Sequence, residues 1–312
     1  MKTLLRMIIA SSVGLLLLAP IVSHATEAVD YQLPQPALTT MNIPISWGLT
    51  KGDGARIAVL DSGVSPHTEY NRSFALGYTY PGFSEESSHA HATFIAGVLS
   101  SQGRLQGVAP QAGLYSFKVF HTYYTDDSLS WAIESSIDLD IDVISMSLNS
   151  AGMNTNQYSK TVASIQKAIN KGIIVVNSAG NDSCNCPRWL ATLPGVVSVG
   201  SVNVDGTPSY FSNFGEWVDI NAVGSNVMTT IPDERYSTES GTSMAAPFVA
   251  GIAALMKSID KSLTPQQFKQ ILKATATNKI MNGGKAVYTW KGGLFSLFVP
   301  YAGSRTEYSI MR

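Results

Sequence analysis

The stretch Arg56-Ile57-Ala58-Val59-Leu60-Asp61-Ser62-Gly63 reads as a buried strand that ends in a carboxylate and a turn. Consecutive apolar residues without polar alternation are what a strand covered on both faces looks like. Four further runs share this character: Leu114–Val119, Val143–Met146, Ile173–Asn177 and Val196–Val199. Helical patterns fall between them. Thr93–Leu99 continues a turn after a histidine cluster, and Leu129–Ile137 has apolar residues at helical spacing. Gln157–Asn170 places Val162, Ile165 and Ile169 on one face, and Ser243–Met256 is a helix of small residues. Thr264-Pro265 caps a last helix, with Phe268, Ile271 and Leu272 on its buried side. Strand and helix in alternation predict an α/β fold with a mostly parallel central sheet.

Composition bounds the function. The 312 residues are 45 % hydrophobic and 14 % charged, with a formal net charge of −1. This excludes a disordered, collagenous or coiled-coil chain and gives no electrostatic case for a nucleic-acid or anionic-membrane partner. Residues 1–25 have a basic start at Lys2 and Arg6, an apolar run from Met7 to Ala19, a break at Pro20, and the cleavage text Ser23-His24-Ala25. They predict a secretory signal peptide and a secreted, extracellular or periplasmic, protein with no membrane attachment after cleavage. An uncleaved anchor is the alternative reading. No later apolar run reaches the roughly 18 residues of a membrane span. The two cysteines, Cys184 and Cys186, are too few for a disulfide scaffold. They read as free or locally bridged thiols, as a bridge to another chain, or as part of a metal site.

Three residues stand out chemically. Asp61 ends its strand where open α/β sheets place their sites, although Asp-Ser-Gly is also ordinary turn text. His91 lies in His89-Ala90-His91-Ala92-Thr93-Phe94-Ile95-Ala96-Gly97, just before a helix. His89 and His91 could share a metal, but no third ligand stands near them. Ser243 lies in Gly241-Thr242-Ser243-Met244-Ala245-Ala246-Pro247, at a helix N-terminus whose backbone N–H groups and dipole favour a developing anion. Asn181, after Ser178-Ala179-Gly180, reads either as an oxyanion donor or as a plain turn residue.

Taken in order, these motifs resemble the subtilase family of serine endopeptidases. Gly107-Val108-Ala109-Pro110, Ser145-Met146-Ser147-Leu148 and Thr264-Pro265 add to the resemblance, which covers roughly Trp47 to Thr277. It implies a subtilisin-like sheet with helices on both faces, a polypeptide substrate, and catalysis by Asp61, His91 and Ser243 with Asn181 in the oxyanion hole. Ser147, Leu148 and Asn149, with Ser178, Ala179 and Gly180, would bind the substrate. Residues 1–25 would be the signal peptide, 26–46 an arm or short propeptide remnant, 47–277 the catalytic domain, and 278–312 an extension packed on the domain or trailing it.

The departures from the family pattern carry expectations too. Ala92 and Phe94 replace the Gly and second His of the usual motif; Asn149 stands where Gly is usual, and this change predicts a narrower or shifted specificity. The short link from Val98 to Gln106 predicts that the family's tight calcium site is missing, so no metal or other cofactor is expected, with a weaker calcium site elsewhere left open. Thr26 to Thr40 is shorter than the roughly 40 residues an unaided fold needs, so either folding needs no attached chaperone domain or a folding partner or inhibitor acts in trans. General proteolysis and site-specific maturation of a secreted peptide both remain open. Asp126 and Asp127, beside Tyr123 and Tyr124 near the substrate edge, either favour basic side chains or belong to a solvated loop. A catalytically inactive subtilase-like binding protein is the alternative from another class, and a metal hydrolase using Asp61 with His89 and His91 ranks third. An α/β-hydrolase esterase is disfavoured by the residue order and by Ala245.

Overall fold

Strand β1, Arg56–Asp61, is an interior strand of a seven-stranded sheet and alternates its side chains between two cores. Ile57 and Val59 face one core, Ala58 and Leu60 the other. That alternation within a wholly apolar run explains why no polar periodicity marks the strand. The computed structural model describes residues 32–70, 74–84, 89–150 and 155–292. The signal-peptide reading, and residues 293–312 of the expected extension, lie outside them.

The other strands are β2 (Phe74–Thr79), β3 (Gly113–Lys118), β4 (Val143–Met146), β5 (Ile174–Ser178), β6 (Val197–Val202) and β7 (Ile220–Val223). Their order is β2-β3-β1-β4-β5-β6-β7, and every pairing is parallel. The order reverses beside β1, so its carboxyl end opens at a topological switch point. An antiparallel hairpin, β8 (Val227–Ile231) with β9 (Arg235–Glu239), stands apart from the sheet. All five strands expected from sequence overlap an observed one. The remaining four are short or partly polar and carry no sustained apolar run.

The helices are α1 (Pro36–Thr40), α2 (Ile43–Ser46), α3 (His91–Ser100), α4 (Asp126–Asp138), α5 (Ser159–Asn170), α6 (Trp189–Thr192), α7 (Thr242–Ile259), α8 (Pro265–Thr275) and α9 (Gly283–Lys291). Reciprocal capping boxes, Thr125 with Ser128 and Thr264 with Gln267, start α4 and α8. The α5 helix has no side-chain cap of its own. Instead the Asp126 carboxylate, from α4, accepts the Lys160 and Thr161 N–H groups at 3.1 and 2.7 Å. Asp127 pairs with Lys160. The two acids therefore serve the α4–α5 junction. The 18-residue α7 is long and apolar enough to cross a bilayer, yet it is buried in the core of this fold.

One segment differs from expectation. Residues 36–46, read as an arm, form α1 and α2 and bury Ala37, Leu38, Met41 and Ile43 in the main core. Helices this short show no period that sequence reading can detect. After Asn278, the Ile280 segment bridges to Asn221 beside β7, and α9 buries Ala286 and Val287 in the same core. The Gly283 N–H donates to the Met41 carbonyl at 2.8 Å, joining the two segments.

Candidate active site

The Asp61 side chain is buried at the end of β1, and both its oxygens lie 2.9 Å from His91 Nδ1. A carboxylate only accepts, so Nδ1 carries the proton and Nε2 is left as the basic nitrogen. Asp61 Oδ1 also accepts the Ser62 N–H at 2.7 Å. Ser62 Oγ donates to the His89 carbonyl and accepts the Ala92 N–H, each at 3.1 Å. One hydroxyl thus bolts the Asp61 turn to the first turn of α3, where His91 sits.

The hairpin steadies the same helix. Thr229 and Thr230 hydroxyls donate to the Phe94 and Thr93 carbonyls at 2.6 and 2.8 Å. A Cβ at Gly97 would lie 2.4 Å from Thr229 Oγ1, so only glycine permits this approach. Burial pulls the His91 pKa down, but the Asp61 carboxylate, with Glu239 at the end of β9, more than offsets it and holds the imidazole above its ordinary value.

Ser243 occupies the first turn of α7, where backbone N–H groups have no intrahelical acceptor. Its hydroxyl donates to the Ser147 carbonyl at 3.5 Å rather than to His91. The Ser147 hydroxyl donates in turn to the Ser243 carbonyl at 3.0 Å. Asn181 is oriented by Thr242, whose N–H and hydroxyl donate to Asn181 Oδ1 at 2.8 and 2.9 Å. That fixes which end of the amide is the oxygen, and the NH2 end lies toward Gly241, where a Cβ would be 3.4 Å away. Thr242 Oγ1 also accepts the Gly180 N–H at 3.1 Å.

The six expected substrate residues divide into two groups. Ser147, Leu148 and Asn149 line a cavity of about 330 Å³ with Phe120, Thr122, Tyr123 and Tyr124. Ser178 ends β5, Ala179 and Gly180 follow it toward Asn181, and none of the three lines the cavity. Tyr124 donates its hydroxyl to the Asn149 carbonyl at 2.7 Å, closing one wall on the other. Cys184 and Cys186 are joined to each other by a disulfide, which leaves neither for a second chain or a metal. Among the described residues no group of three or more His, Cys, Asp and Glu side chains could hold a metal ion. Sequence reading missed Ser62, Thr242 and Glu239, whose roles arise from contacts across the fold.

A parallel α/β sheet carrying an acid, an imidazole and a helix-terminal serine at its carboxyl edge is the architecture of subtilisin-like proteins. Residues 52–290 match the Subtilase family, a span that takes in all of α9 but its last residue, and the chain belongs to that family. It is 36 % identical over 231 residues to the thermostable alkaline protease of Halalkalibacterium halodurans, covering 72 % of this chain but only 63 % of that protein's length. It is 34 % identical over 281 residues to subtilisin E of Bacillus subtilis, covering 85 % of this chain and 70 % of that one. Among solved structures, one described as proteases from Pseudoalteromonas arctica PAMC 21717 superposes with a TM-score of 0.73 at 26 % identity, over 80 % of this chain and 94 % of that one. A cold-adapted subtilisin-like serine proteinase gives 0.66 at 30 % identity, over 75 % and 87 %.

Proposed function

We propose that this chain is a secreted serine endopeptidase that hydrolyses peptide bonds through an acyl-enzyme. The paired contact of the Asp61 carboxylate with His91 Nδ1, which leaves Nε2 basic, is the observation that carries this reading. Ser243 Oγ turns from the Ser147 carbonyl toward His91, a side-chain rotation of the kind apo sites often need. His91 Nε2 takes the hydroxyl proton as the Oγ–C bond forms at the scissile carbonyl. The oxyanion accepts from the Ser243 N–H and the Asn181 amide. His91 then returns the proton to the leaving amine as the C–N bond breaks, and water repeats the sequence to release the acid. Asp61 stabilises the imidazolium throughout.

The pattern of residues 1–25 supports secretion, and N-terminal sequencing of exported protein should begin at Thr26. The family's tight calcium does not fit the loop after α3. The Glu69 carboxylate there accepts N–H groups of Gly103 and Leu105 at 2.7 and 3.1 Å and the Tyr236 hydroxyl at 2.7 Å. The Gly103 and Arg104 carbonyls already accept from Gln32 Nε2 and the Leu33 N–H. The proposed enzyme needs no tight calcium at this place.

The test is a serine-directed phosphonylating reagent applied beside a peptide library. Label on Ser243 and hydrolysis, both lost in Ser243→Ala and untouched by a chelator, support the reading. A folded chain that takes no label and cleaves nothing would instead be the inactive binding protein.

A further inference from the structure

Asn213 lies in the connection between β6 and β7, is 1 % exposed, and has no place in the mechanism above. Its bonds converge on one loop. The Asn213 N–H donates to the Gly180 carbonyl at 2.9 Å. Nδ2 donates to the Ala179 carbonyl at 3.0 Å and to Asp182 Oδ2 at 3.2 Å. Oδ1 accepts the N–H of Asp182 at 2.8 Å and that of Cys184 at 3.4 Å. One side chain therefore holds residues on both sides of Asn181, with both amide hydrogens and its oxygen committed. The fit is close: Gly180 has φ +102°, and a Cβ there would sit 2.6 Å from Asn213 Nδ2.

Asn181, Asp182 and Ser183 are exposed and belong to no helix or strand. An oxyanion donor on such a loop is useful only if its position is set before the charge develops. Thr242 fixes the Asn181 amide from the α7 side, but through that one residue alone. We propose that Asn213 is a positioning residue for the oxyanion hole: it clamps residues 179–184 so that Asn181 Nδ2 is held where the tetrahedral oxyanion forms. The role needs an amide. A carboxylate would keep the acceptor for Asp182 N–H but turn lone pairs on the Ala179 carbonyl and the Asp182 carboxylate.

This inference rests on the endopeptidase reading, and the test separates the two. Asn213→Asp is combined with Asn181→Ala in a double-mutant cycle, read by kcat, KM and binding of a peptide boronate, whose tetrahedral adduct reports the oxyanion hole. In the wild-type background Asn213→Asp should lower kcat about tenfold or more, change KM less than about twofold, and weaken the boronate in step with kcat. In the Asn181→Ala background its effect should shrink to about twofold. If Asn213→Asp does not fold, Asn213→Ser, which keeps one donor and acceptor, is carried through the same cycle. Equal effects in both backgrounds, or a change in KM alone, would overturn the clamp while leaving the endopeptidase standing. A wild-type chain that cleaves nothing would overturn both.

Discussion

Ser147 and Ser243 bind each other twice, the Ser147 hydroxyl to the Ser243 carbonyl at 3.0 Å and the Ser243 hydroxyl to the Ser147 carbonyl at 3.5 Å. The first bond exists because Pro247 lies four residues after Ser243 inside α7 and has no N–H to offer. A helix residue normally spends its carbonyl on that N–H. Here the proline releases the carbonyl, and β4's continuation captures it, so the nucleophile's backbone is tied to the strand that forms the cleft wall.

Ser147→Ala should therefore do two things. It removes a partly buried hydrogen bond and leaves the Ser243 carbonyl without that donor, at about 1–3 kcal/mol of stability. It also loosens the nucleophile, lowering kcat severalfold with a smaller change in KM. Denaturant unfolding and steady-state kinetics on one variant check both. Unchanged kcat would mean that the first turn of α7 is held by its other contacts.

The raised pKa of His91 sets a pH profile. Burial alone would lower it, and Asp61 and then Glu239 reverse the sign. The general base must be neutral, so kcat/KM should rise through a midpoint above 6.5, the ordinary imidazole value. Glu239→Gln should move that acid limb downward and raise relative activity at acid pH. The stability linkage runs the other way. A raised folded-state pKa gives a contribution fully present below 6.5 and lost as pH climbs past the folded value, so activity increases as this contribution fades. An acid limb unmoved by Glu239→Gln would show that Asp61 alone sets it.

The cleft acids give a negative expectation. Asp126 is spent on the first N–H groups of α5, and Asp127 pairs with Lys160 on the surface. Asp127→Ala should leave any preference for basic peptide residues unchanged and leave the melting temperature essentially where it is, because the pair is exposed. Asp126→Ala should cost about 1 kcal/mol through the lost cap. Cleavage profiles and melting of the two variants together decide whether the acids face substrate or hold helices.

What could be read from the sequence follows its physical origin. The strands Arg56–Asp61 and Val143–Met146 are buried on both faces, so local composition alone marks them. Asp61, His91 and Ser243 lie beside glycines and small residues whose text is specific to their surroundings. Ser62, Thr242 and Asn213 are ordinary polar residues in sequence, and only the approach of distant segments gives them partners. The α1 and α2 helices are too short to show a period, and the packing of α2 against α9, about 240 residues away in the chain, is seen by no local window.

Glu69 offers a test of what replaces a cation. It is 2 % exposed and joins the loop after α3 to the hairpin through Gly103, Leu105 and Tyr236, while Arg104 stacks over the Tyr236 ring at 5.2 Å. Glu69→Ala should leave the buried Leu105 N–H and the partly buried Gly103 N–H without that acceptor and cost about 1–3 kcal/mol. A chelator should not lower the melting temperature of the parent, and calcium should not restore that of the variant. Chelator-induced melting of the parent would show a tight cation site that the hydrogen bonds around Glu69 do not anticipate.

The segment before β1 is part of the core rather than a detachable arm. Met41 is 0 % exposed, its sulfur receives the Val223 N–H at 3.4 Å, and its carbonyl receives the Gly283 N–H at 2.8 Å. It therefore links α1 to the last strand of the sheet and to α9 at once. Met41→Ala should cost about 2–5 kcal/mol, the range for a buried cavity of that size. Trp47→Phe, at a partly buried position whose indole donates to the Val108 carbonyl at 2.9 Å, should cost less, about 1–2 kcal/mol. Denaturant midpoints rank the two. If Met41→Ala were the milder change, residues 36–46 would lie on the domain without supporting it, and the site would not depend on them for its rigidity.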